Sequence, residues 1–287
     1  MIKRFPPILS IIVLSLALGC KEKTSKKESS QETVTAWQVD FLDDFETFNE
    51  ENWQDQMIWV NNEDQCYVPN GEFNTREVSN GTLKLRVVDT GEKRPCDNLD
   101  VKSGAKHHDT PYVAGRIISK NRKEFAKGKW TARLRVKNSG QSGMFPAWWL
   151  LGARNNEPPI EDDDETVCWP LLGSGEIDIF EHHSDGGPDH YAARAIKSLG
   201  ECQSGDWQGK MLVQEATLGD YHDYSVEWEG KDLIFRLDDM EVYRAIDEGD
   251  NLPEPMFGIL NFAKINDSPM TQTWEMEVDW VKHEFRK

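Results

Sequence analysis

Short segments in which polar and apolar residues alternate recur along the chain from Trp37 to its last residues. Two clear examples are GKWTARLRVKNSG (residues 128–140) and TWEMEVDWVKHEF (residues 273–285). Alternation with a period of two places successive side chains on opposite faces of a strand, so each segment can bury one face. Because turn-forming residues separate the segments and no long amphipathic helix lies between them, the sequence predicts an all-β fold, a two-sheet antiparallel β-sandwich.

The first twenty residues resemble an export signal. Two basic residues precede an apolar stretch, residues 8–18, which is too short to cross a bilayer as a helix. The stretch ends in LALGC, which resembles the acylation motif of bacterial lipoproteins, although Ala17 stands where leucine is usual. We therefore expect residues 1–20 to be a lipoprotein-type signal with lipid attached at Cys20. The expected location is the cell envelope, as a lipid-anchored outer-membrane or cell-surface protein, and secretion is the alternative.

The rest of the chain divides into a tether and one folded domain. Residues 21–36 are polar, charged and free of aromatic side chains, so they are predicted to be a flexible tether. Residues 37–287 are long enough to bury a single large core. The chain of 287 residues has a formal net charge of −18, which argues against a nucleic-acid partner because phosphates would be repelled. We expect a monomer with a neutral ligand.

Four cysteines remain once Cys20 is assigned to lipid attachment. Four cysteines allow three pairings, and an exported protein meets an oxidising compartment. We predict the disulfides Cys66–Cys96 and Cys168–Cys202, because each closes a loop of moderate length. The alternative is that one or both pairs are free, buried thiols.

The segment GSGEIDIFEHH carries three acids within six residues, Glu176, Asp178 and Glu181. In a regular strand the first two share a face and the third lies on the other. A β-bulge at Ile179 and Phe180 would shift the alternation and return the third acid to the face of the other two. The sequence therefore predicts a bulged strand with three acids in one row.

A row of three carboxylates has the composition needed to hydrolyse a glycosidic bond. Mutual repulsion raises the pKa of at least one acid, so that it stays protonated near neutral pH while a neighbour is ionised. Retaining glycosidases use two carboxyls about 5 to 5.5 Å apart, one as nucleophile and one as general acid and base. The shorter Asp178 is better placed to tune a neighbour than to attack. Judged by spacing alone, a solvated outer face is an equally good interpretation.

The segment GEIDIFEHH resembles the bulged E-x-D-x-x-E signature of glycoside hydrolase family 16, in its laminarinase-like endo-β-1,3-glucanase branch. The similarity covers nearly all of residues 40–287 and implies a concanavalin-like β-jelly-roll, with an open substrate cleft across its concave sheet, for the predicted catalytic domain 37–287. Five further motifs carry it: WVNNEDQCY (residues 59–67), PAWWLLGA (146–153), CWPLLGSGE (168–176), DYHDYSVEW (220–228) and VDWVKHEF (278–285).

The resemblance implies a role for each matching residue. Among the acids, Glu176 would be the nucleophile, Asp178 its electrostatic partner and Glu181 the general acid and base. The implied substrate-binding residues are Trp149 and Trp169 as sugar platforms, and Asn61, Asn62 and Glu63 near the non-reducing-side subsites.

Two residues beside these motifs have open roles. Trp148 points away from Trp149 by alternation, so we expect it in the core. His182 follows the third acid directly and is either a cleft residue that hydrogen-bonds substrate or an edge residue.

The resemblance implies no cofactor for catalysis. It does imply a structural calcium ion on the convex side, held by an aspartate of the last strand, and Asp279 is the match. No spacing of acids in the chain demands a metal by itself.

The segment after the acids departs from the laminarinase-like pattern. That branch usually has a strand similar to G-T-x-H, whose histidine faces the cleft, whereas this chain has HYAARAIKSLGEC with Arg194 and Lys197. Cationic side chains in the cleft could bind sulfate, and Arg194 is therefore a candidate substrate-binding residue. If both cations point outward or pair with local acids, they have no such role, and the strongly negative charge favours this interpretation.

Three functions follow from these observations. The favoured one is endo-hydrolysis of a β-1,3-glucan such as laminarin, or of a mixed-linkage β-1,3-1,4-glucan. The second is endo-hydrolysis of a sulfated algal galactan, such as agar, porphyran or carrageenan. The third is a non-catalytic surface glycan-binding protein, which is disfavoured because such modules typically lose one or both glutamates.

Overall fold

The computed structural model describes residues 36–184, 187–213, 217–247 and 252–287. Over these residues the chain forms eighteen strands and one short 3-10 helix, Glu72–Asn74. The strands are β1 Gln38–Asp43, β2 Gln54–Asp55, β3 Cys66–Tyr67, β4 Arg76–Val78, β5 Leu83–Arg94, β6 Thr110–Ala114, β7 Arg116–Ile118, β8 Glu124–Phe125, β9 Gly128–Lys137, β10 Met144–Gly152, β11 Glu176–Glu181, β12 His190–Glu201, β13 Ser204–Val213, β14 His222–Glu229, β15 Asp232–Leu237, β16 Met240–Ile246, β17 Met256–Lys264 and β18 Trp274–Phe285.

The strands form two sheets, which confirms the predicted β-sandwich. One sheet has the order β16-β15-β14-β9-β18-β5-β6-β3, with β1 paired to β18 and β4 to β5. The other has the order β13-β12-β11-β10-β17-β7-β2, with β8 paired to β17. All pairs of these strands are antiparallel except β3 with β6. The strand that carries the three acids, β11, lies inside the second sheet between β10 and β12.

The core between the sheets is built from the alternating segments. On β9 the face that carries Trp130 and Leu134 is buried, as the alternation predicts. From the other sheet Trp148 is 0% exposed, and its ring lies 5.9 Å from that of Trp130 in an edge-to-face contact. The prediction that Trp148 is a core residue is confirmed, and the opposite face of β10 is left for the cleft.

Both predicted disulfides are present. Cys66–Cys96 and Cys168–Cys202 join residues 30 and 34 positions apart, with Cα separations of 5.8 and 5.5 Å. The first pair lies in a small apolar cluster with Val113. The second ties the segment before β11 to the hairpin between β12 and β13.

The predicted export signal, the lipid-bearing Cys20 and residues 21–35 of the predicted tether lie outside the described residues. Within the described part of the chain, no helix has the length and apolar character that crossing a membrane requires.

Candidate active site

A β-bulge in β11 determines which way the three acids point. On β10, Trp149 pairs with Asp178 while its neighbour Trp148 pairs with Phe180, so Ile179 is the extra residue. The pairing of β11 with β12 shows the same shift between Asp178 and Glu181. Because Ile179 and Phe180 are both buried in the core, the alternation changes phase at this point. The predicted bulge is confirmed.

The bulge opens the acid row onto a cleft with a volume of about 310 Å³. Asp178 lies beneath this row, with 1% of its surface exposed, and does not itself line the cleft. The structure thus brings together most of the predicted site residues, and those that line the cleft are Asn61, Glu63, Trp149, Trp169, Glu176 and Glu181.

Glu176 and Asp178 form a carboxyl pair in which Asp178 is buried and Glu176 is partly exposed at the cleft. Burial, followed by the negative charge of Glu181, raises the pKa of Glu176 to about 8. The same two causes raise the pKa of Asp178 well above its ordinary value, and Glu176 raises it further. A protonated Asp178 can donate a hydrogen bond to Glu176, and this contact lowers the pKa of Glu176. The pair therefore holds at least one proton near neutral pH, and Asp178 is the member that retains it.

Glu181 is bound by a cation from the neighbouring strand. Arg194 of β12 donates a hydrogen bond from Nη1 to Glu181 Oε2 over 3.0 Å. The guanidinium also lies 5.6 Å from the ring centroid of Trp207, a half-exposed residue of β13. Gly209 leaves room for this arrangement, since a Cβ atom there would lie 2.4 Å from Arg194 Cγ.

The two cations after the acids have different surroundings. Arg194 is paired in register with Asp178 and therefore lies on the face of the acids. Lys197, three residues further along β12, lies on the opposite face. Arg194 thus lies on the face of the acids rather than outward, and its partner there is the predicted catalytic acid Glu181.

Two histidines follow Glu181 and have different environments. His182 is 0% exposed, its Nδ1 lies 2.7 Å from the backbone oxygen of His190, and burial lowers its pKa. It is not among the residues that line the cleft, so the structure places this predicted substrate-binding residue in the interior. The neighbouring His183 lies closer to the acids, with Nε2 3.9 Å from Glu181 Oε2 and its ring 4.4 Å from that of Phe145.

The two predicted sugar platforms each lie beside a cation. Trp149 donates from Nε1 to Asn261 Oδ1 over 2.8 Å, and the guanidinium of Arg116 lies 5.1 Å from its ring. Trp169 has Lys102 Nζ at 4.9 Å and the ring of Trp207 at 6.0 Å. Indole faces of this kind suit the apolar faces of sugar rings.

The predicted Asn61, Asn62 and Glu63 group is divided by a turn. Both asparagines have left-handed backbone, with φ of 53° and 55°, and only Asn61 lines the cleft. Asn62 is exposed and is not placed on the cleft surface. Glu63 is buried and accepts hydrogen bonds from Gln65 Nε2 at 2.8 Å and Tyr67 Oη at 3.1 Å. Burial raises the pKa of Glu63 to about 7, although the charge of Arg116 opposes this.

Several residues of the cleft were not found by sequence reasoning. The most important are Arg116, Glu157, Asn261 and Trp207. Arg116 donates from Nε to Gln56 Oε1 over 2.6 Å, and its Nη2 lies 3.5 Å from Glu157 Oε2. Asn261 did leave a signal, since it is the one polar side chain in the apolar run GILNFA of β17. A buried polar residue in such a run needs a partner, and its partners here are Trp149 and Tyr67.

Asp279, the predicted calcium ligand, lies beside a cation. Arg133 Nε is 3.3 Å from its Oδ2, and Arg133 also pairs with Asp223. Among the described residues, no group of three or more His, Cys, Asp or Glu side chains is arranged to hold a metal ion. Asp279 is thus paired with a guanidinium here, and the calcium ion stays a prediction.

An open cleft across a β-sandwich, with a carboxyl pair and a third carboxyl in the same row, is the kind of site that defines a glycoside hydrolase. The profile of glycosyl hydrolases family 16 matches residues 53–282. The chain therefore belongs to glycosyl hydrolases family 16, as the sequence motifs predict.

Individual relatives are similar at low identity. The endo-1,3-1,4-beta-glycanase ExsH of Rhizobium meliloti is 23% identical over 266 residues, which are 84% of this chain and 50% of the relative. The beta-glucanase of Rhodothermus marinus is 24% identical over 248 residues, 84% of this chain and 76% of the relative. This chain thus spans about half the length of ExsH and three quarters of the beta-glucanase.

Solved structures share the fold. A LamA variant from Zobellia galactanivorans, crystallised with laminaritriose and laminaritetraose, superimposes with a TM-score of 0.71 at 27% identity. The match covers 86% of this chain and 98% of that one.

Proposed function

We propose that this protein is a retaining endo-hydrolase of a β-1,3-glucan such as laminarin, or of a mixed-linkage β-1,3-1,4-glucan. The observation that carries the proposal is the bulge at Ile179, which brings Glu176 and Glu181 to one cleft with Asp178 directly beneath. Two carboxyls that flank a scissile glycosidic bond supply a nucleophile and a general acid and base. The relatives support this assignment, because one is named a beta-glucanase and one an endo-1,3-1,4-beta-glycanase, and a third was crystallised with laminaritriose and laminaritetraose.

In the proposed mechanism, the reactive form of the acid row has Glu176 ionised and Glu181 protonated. Glu176 attacks the anomeric carbon while Glu181 donates its proton to the departing glycosidic oxygen. The covalent glycosyl-enzyme ester is then hydrolysed by water that Glu181, now ionised, deprotonates. The proton held by Asp178 gives Glu176 a hydrogen bond without adding a second negative charge beside it. As substrate displaces water from the pair, this bond keeps the nucleophile oriented.

In this proposal, the sugar chain binds along the indole side chains that line the cleft. Trp149 and Trp169 lie on the cleft surface with Glu176, and Asn61 and Glu63 lie further along the same surface. A neutral glucan suits a cleft whose acids outnumber its unpaired cations, because Arg194 is already bound by Glu181. A sulfated galactan would need a free cation at that position.

Reducing-sugar release across laminarin, lichenan, agarose, porphyran and carrageenan tests the substrate. We expect hydrolysis of laminarin or lichenan with short oligosaccharide products, and activity confined to the galactans would overturn the glucan assignment. The matched variants Glu176→Gln and Glu181→Gln test the catalytic roles, and each should lower kcat by at least about a thousandfold. Full activity of Glu176→Gln would show that another residue is the nucleophile.

We also propose that the protein is a monomer anchored to the cell envelope by lipid at Cys20. The support is the signal-like sequence of residues 1–20 and the polar residues that follow it. Palmitate labelling of the wild type and of Cys20→Ala, followed by membrane fractionation, tests the anchor. Equal labelling of both proteins would contradict it.

Light scattering of the soluble domain tests the oligomeric state. The proposed chemistry uses no metal ion or cofactor.

A further inference from the structure

A buried lysine lies behind one wall of the cleft. Lys120 follows β7, is 0% exposed, and donates hydrogen bonds from Nζ to three backbone oxygens. The acceptors are Asn155, Glu157 and Pro159, at 2.9, 2.8 and 3.1 Å. The carboxylate of Glu165 completes the set, with Oε2 2.7 Å from Nζ and 2% of its side chain exposed.

The four oxygens around this ammonium belong to one segment of the chain, the connection between β10 and β11. That connection supplies the cleft with Asn155, Asn156, Glu157 and Trp169. It has little regular structure, so its shape depends on side-chain anchors rather than on a strand ladder. Lys120 itself does not line the cleft and has no part in the proposed chemistry.

Four oxygens that converge on one point repel one another unless a cation lies between them. Three backbone oxygens and one carboxylate are also the ligand types that proteins use for hard metal ions. The ammonium of Lys120 satisfies them with its three N–H groups and its charge. Glu165 responds to this contact, since burial would raise its pKa, but its hydrogen bonds, first that from Lys120, lower it. Glu165 Oε2 and Oε1 also accept the N–H groups of residues 161 and 162 at 3.3 and 3.2 Å.

We propose that Lys120 is a positioning residue for substrate. Its ammonium takes the place that a metal ion could have among the four oxygens, and it fixes the cleft wall formed by residues 153–166. Its effect reaches substrate through Glu157, whose backbone oxygen Lys120 holds and whose carboxylate faces Arg116. The expected change in KM rests on the proposed function, whereas the order of the cleft wall does not depend on any substrate.

Removal of the ammonium, with and without a small replacement cation, tests the proposal. Lys120→Ala leaves a hole that n-propylammonium fills, and Lys120→Met fills the hole without a charge. We expect Lys120→Met to raise KM for laminarin about tenfold while kcat changes less than about threefold, because the acids on β11 keep their strand positions. In Lys120→Ala, propylammonium should restore KM, and an equal concentration of sodium chloride controls for ionic strength.

Hydrogen exchange of peptides from residues 153–166 provides a readout that needs no substrate. We expect faster exchange in both lysine variants. Propylammonium should slow the exchange in Lys120→Ala but not in Lys120→Met. Unchanged exchange and KM in both variants would overturn the proposal, as would a loss confined to kcat. If either lysine variant fails to fold, Glu165→Gln replaces it and should show the same changes to a smaller extent. If propylammonium restores exchange protection in Lys120→Ala but the wild type cleaves no glucan, the proposed function is wrong. The role of Lys120 in ordering the cleft wall would still stand.

Discussion

Arg194 lies 3.0 Å from Glu181 and on the same face as Asp178, so one guanidinium faces the last acid of the row and the middle one. Its positive charge lowers the pKa of Asp178, against the larger effects of burial and of the two glutamates. The pairing also leaves Arg194 without the free charge that an anionic substrate would require.

Replacement of Arg194 should move the pH dependence of activity. The acidic limb of kcat/KM reports loss of a proton from the Glu176 and Asp178 pair in the free protein. Without the guanidinium, the negative charge of Glu181, which raises the pKa of Glu176, is no longer offset, so we expect Arg194→Ala to shift this limb to higher pH. Arg194→Lys keeps the charge and should leave the limb within a few tenths of a pH unit of wild type. A limb that moves to lower pH in Arg194→Ala would contradict this assignment.

Asp178 should be needed as a hydrogen-bond donor rather than as a charge. Asp178→Asn keeps an N–H donor toward Glu176, whereas Asp178→Ala removes it. We expect kcat to fall about tenfold in the asparagine variant and about a hundredfold or more in the alanine variant. Steady-state kinetics on laminarin at several pH values measures the difference. Equal losses in the two variants would show that the carboxylate itself is required.

The adjacent tryptophans of β10 should separate stability from binding. Trp148→Ala empties a core position, so we expect the free energy of unfolding to fall by about 3–5 kcal/mol. Trp149→Ala removes a partly exposed platform, and we expect KM to rise about tenfold or more with a much smaller stability loss. Denaturant unfolding and steady-state kinetics on both variants test this contrast, which fails if both variants lose stability equally.

The two disulfides should stabilise the fold to a similar extent but affect the cleft differently. Because they close loops of similar size, loss of either pair is expected to cost about 2–4 kcal/mol. Cys168 and Cys202 line the cleft beside Trp169, so only the double serine variant of this pair should also raise KM. The double serine variant of Cys66 and Cys96 is the matched control, and an equal rise in KM there would refute the difference.

Glu277, in the convex sheet, should make stability depend on acid pH. Burial alone would raise its pKa, but hydrogen bonds from Lys137, Arg135 and Tyr221 lower it to about 2. A carboxyl whose pKa is lower in the folded state stabilises above its unfolded pKa near 4.5, and the contribution disappears as pH falls toward 2.

The Glu277→Gln variant measures this contribution. We expect it to lose on the order of 2 kcal/mol at pH 7, and the gap from wild type should close between pH 4.5 and 2. Denaturant unfolding at several pH values provides the data. Glu50→Gln, at an exposed position, is the control and should show no such gap.

The sandwich and the bulge could be predicted because both are local patterns. Alternation shows which residues of β9 and β10 face the core, and the acid spacing in β11 indicates a change of phase. The contacts of Arg116 with Gln56 and Glu157 join residues 60 and 41 positions apart, and no local pattern records them. Lys120 illustrates the same limit, since its backbone acceptors lie 35 to 39 residues further along.

His182 and Asp279 show why a motif does not determine surroundings. The bulge directs Glu181 into the cleft, and the next side chain then turns to the interior, where His182 meets the backbone of His190. Asp279 lies on the expected strand, but the cation beside it comes from β9, a neighbour established only by folding.

The single unpaired residue Ile179 also has a consequence for how such a site can change over generations. Deletion of this one codon would restore strict alternation and leave Glu181 on the face of Glu176 and Asp178. In a strand without the extra residue, the same row would need the spacing E-x-D-x-E. A one-residue insertion or deletion therefore connects two sequence signatures that encode one chemical arrangement.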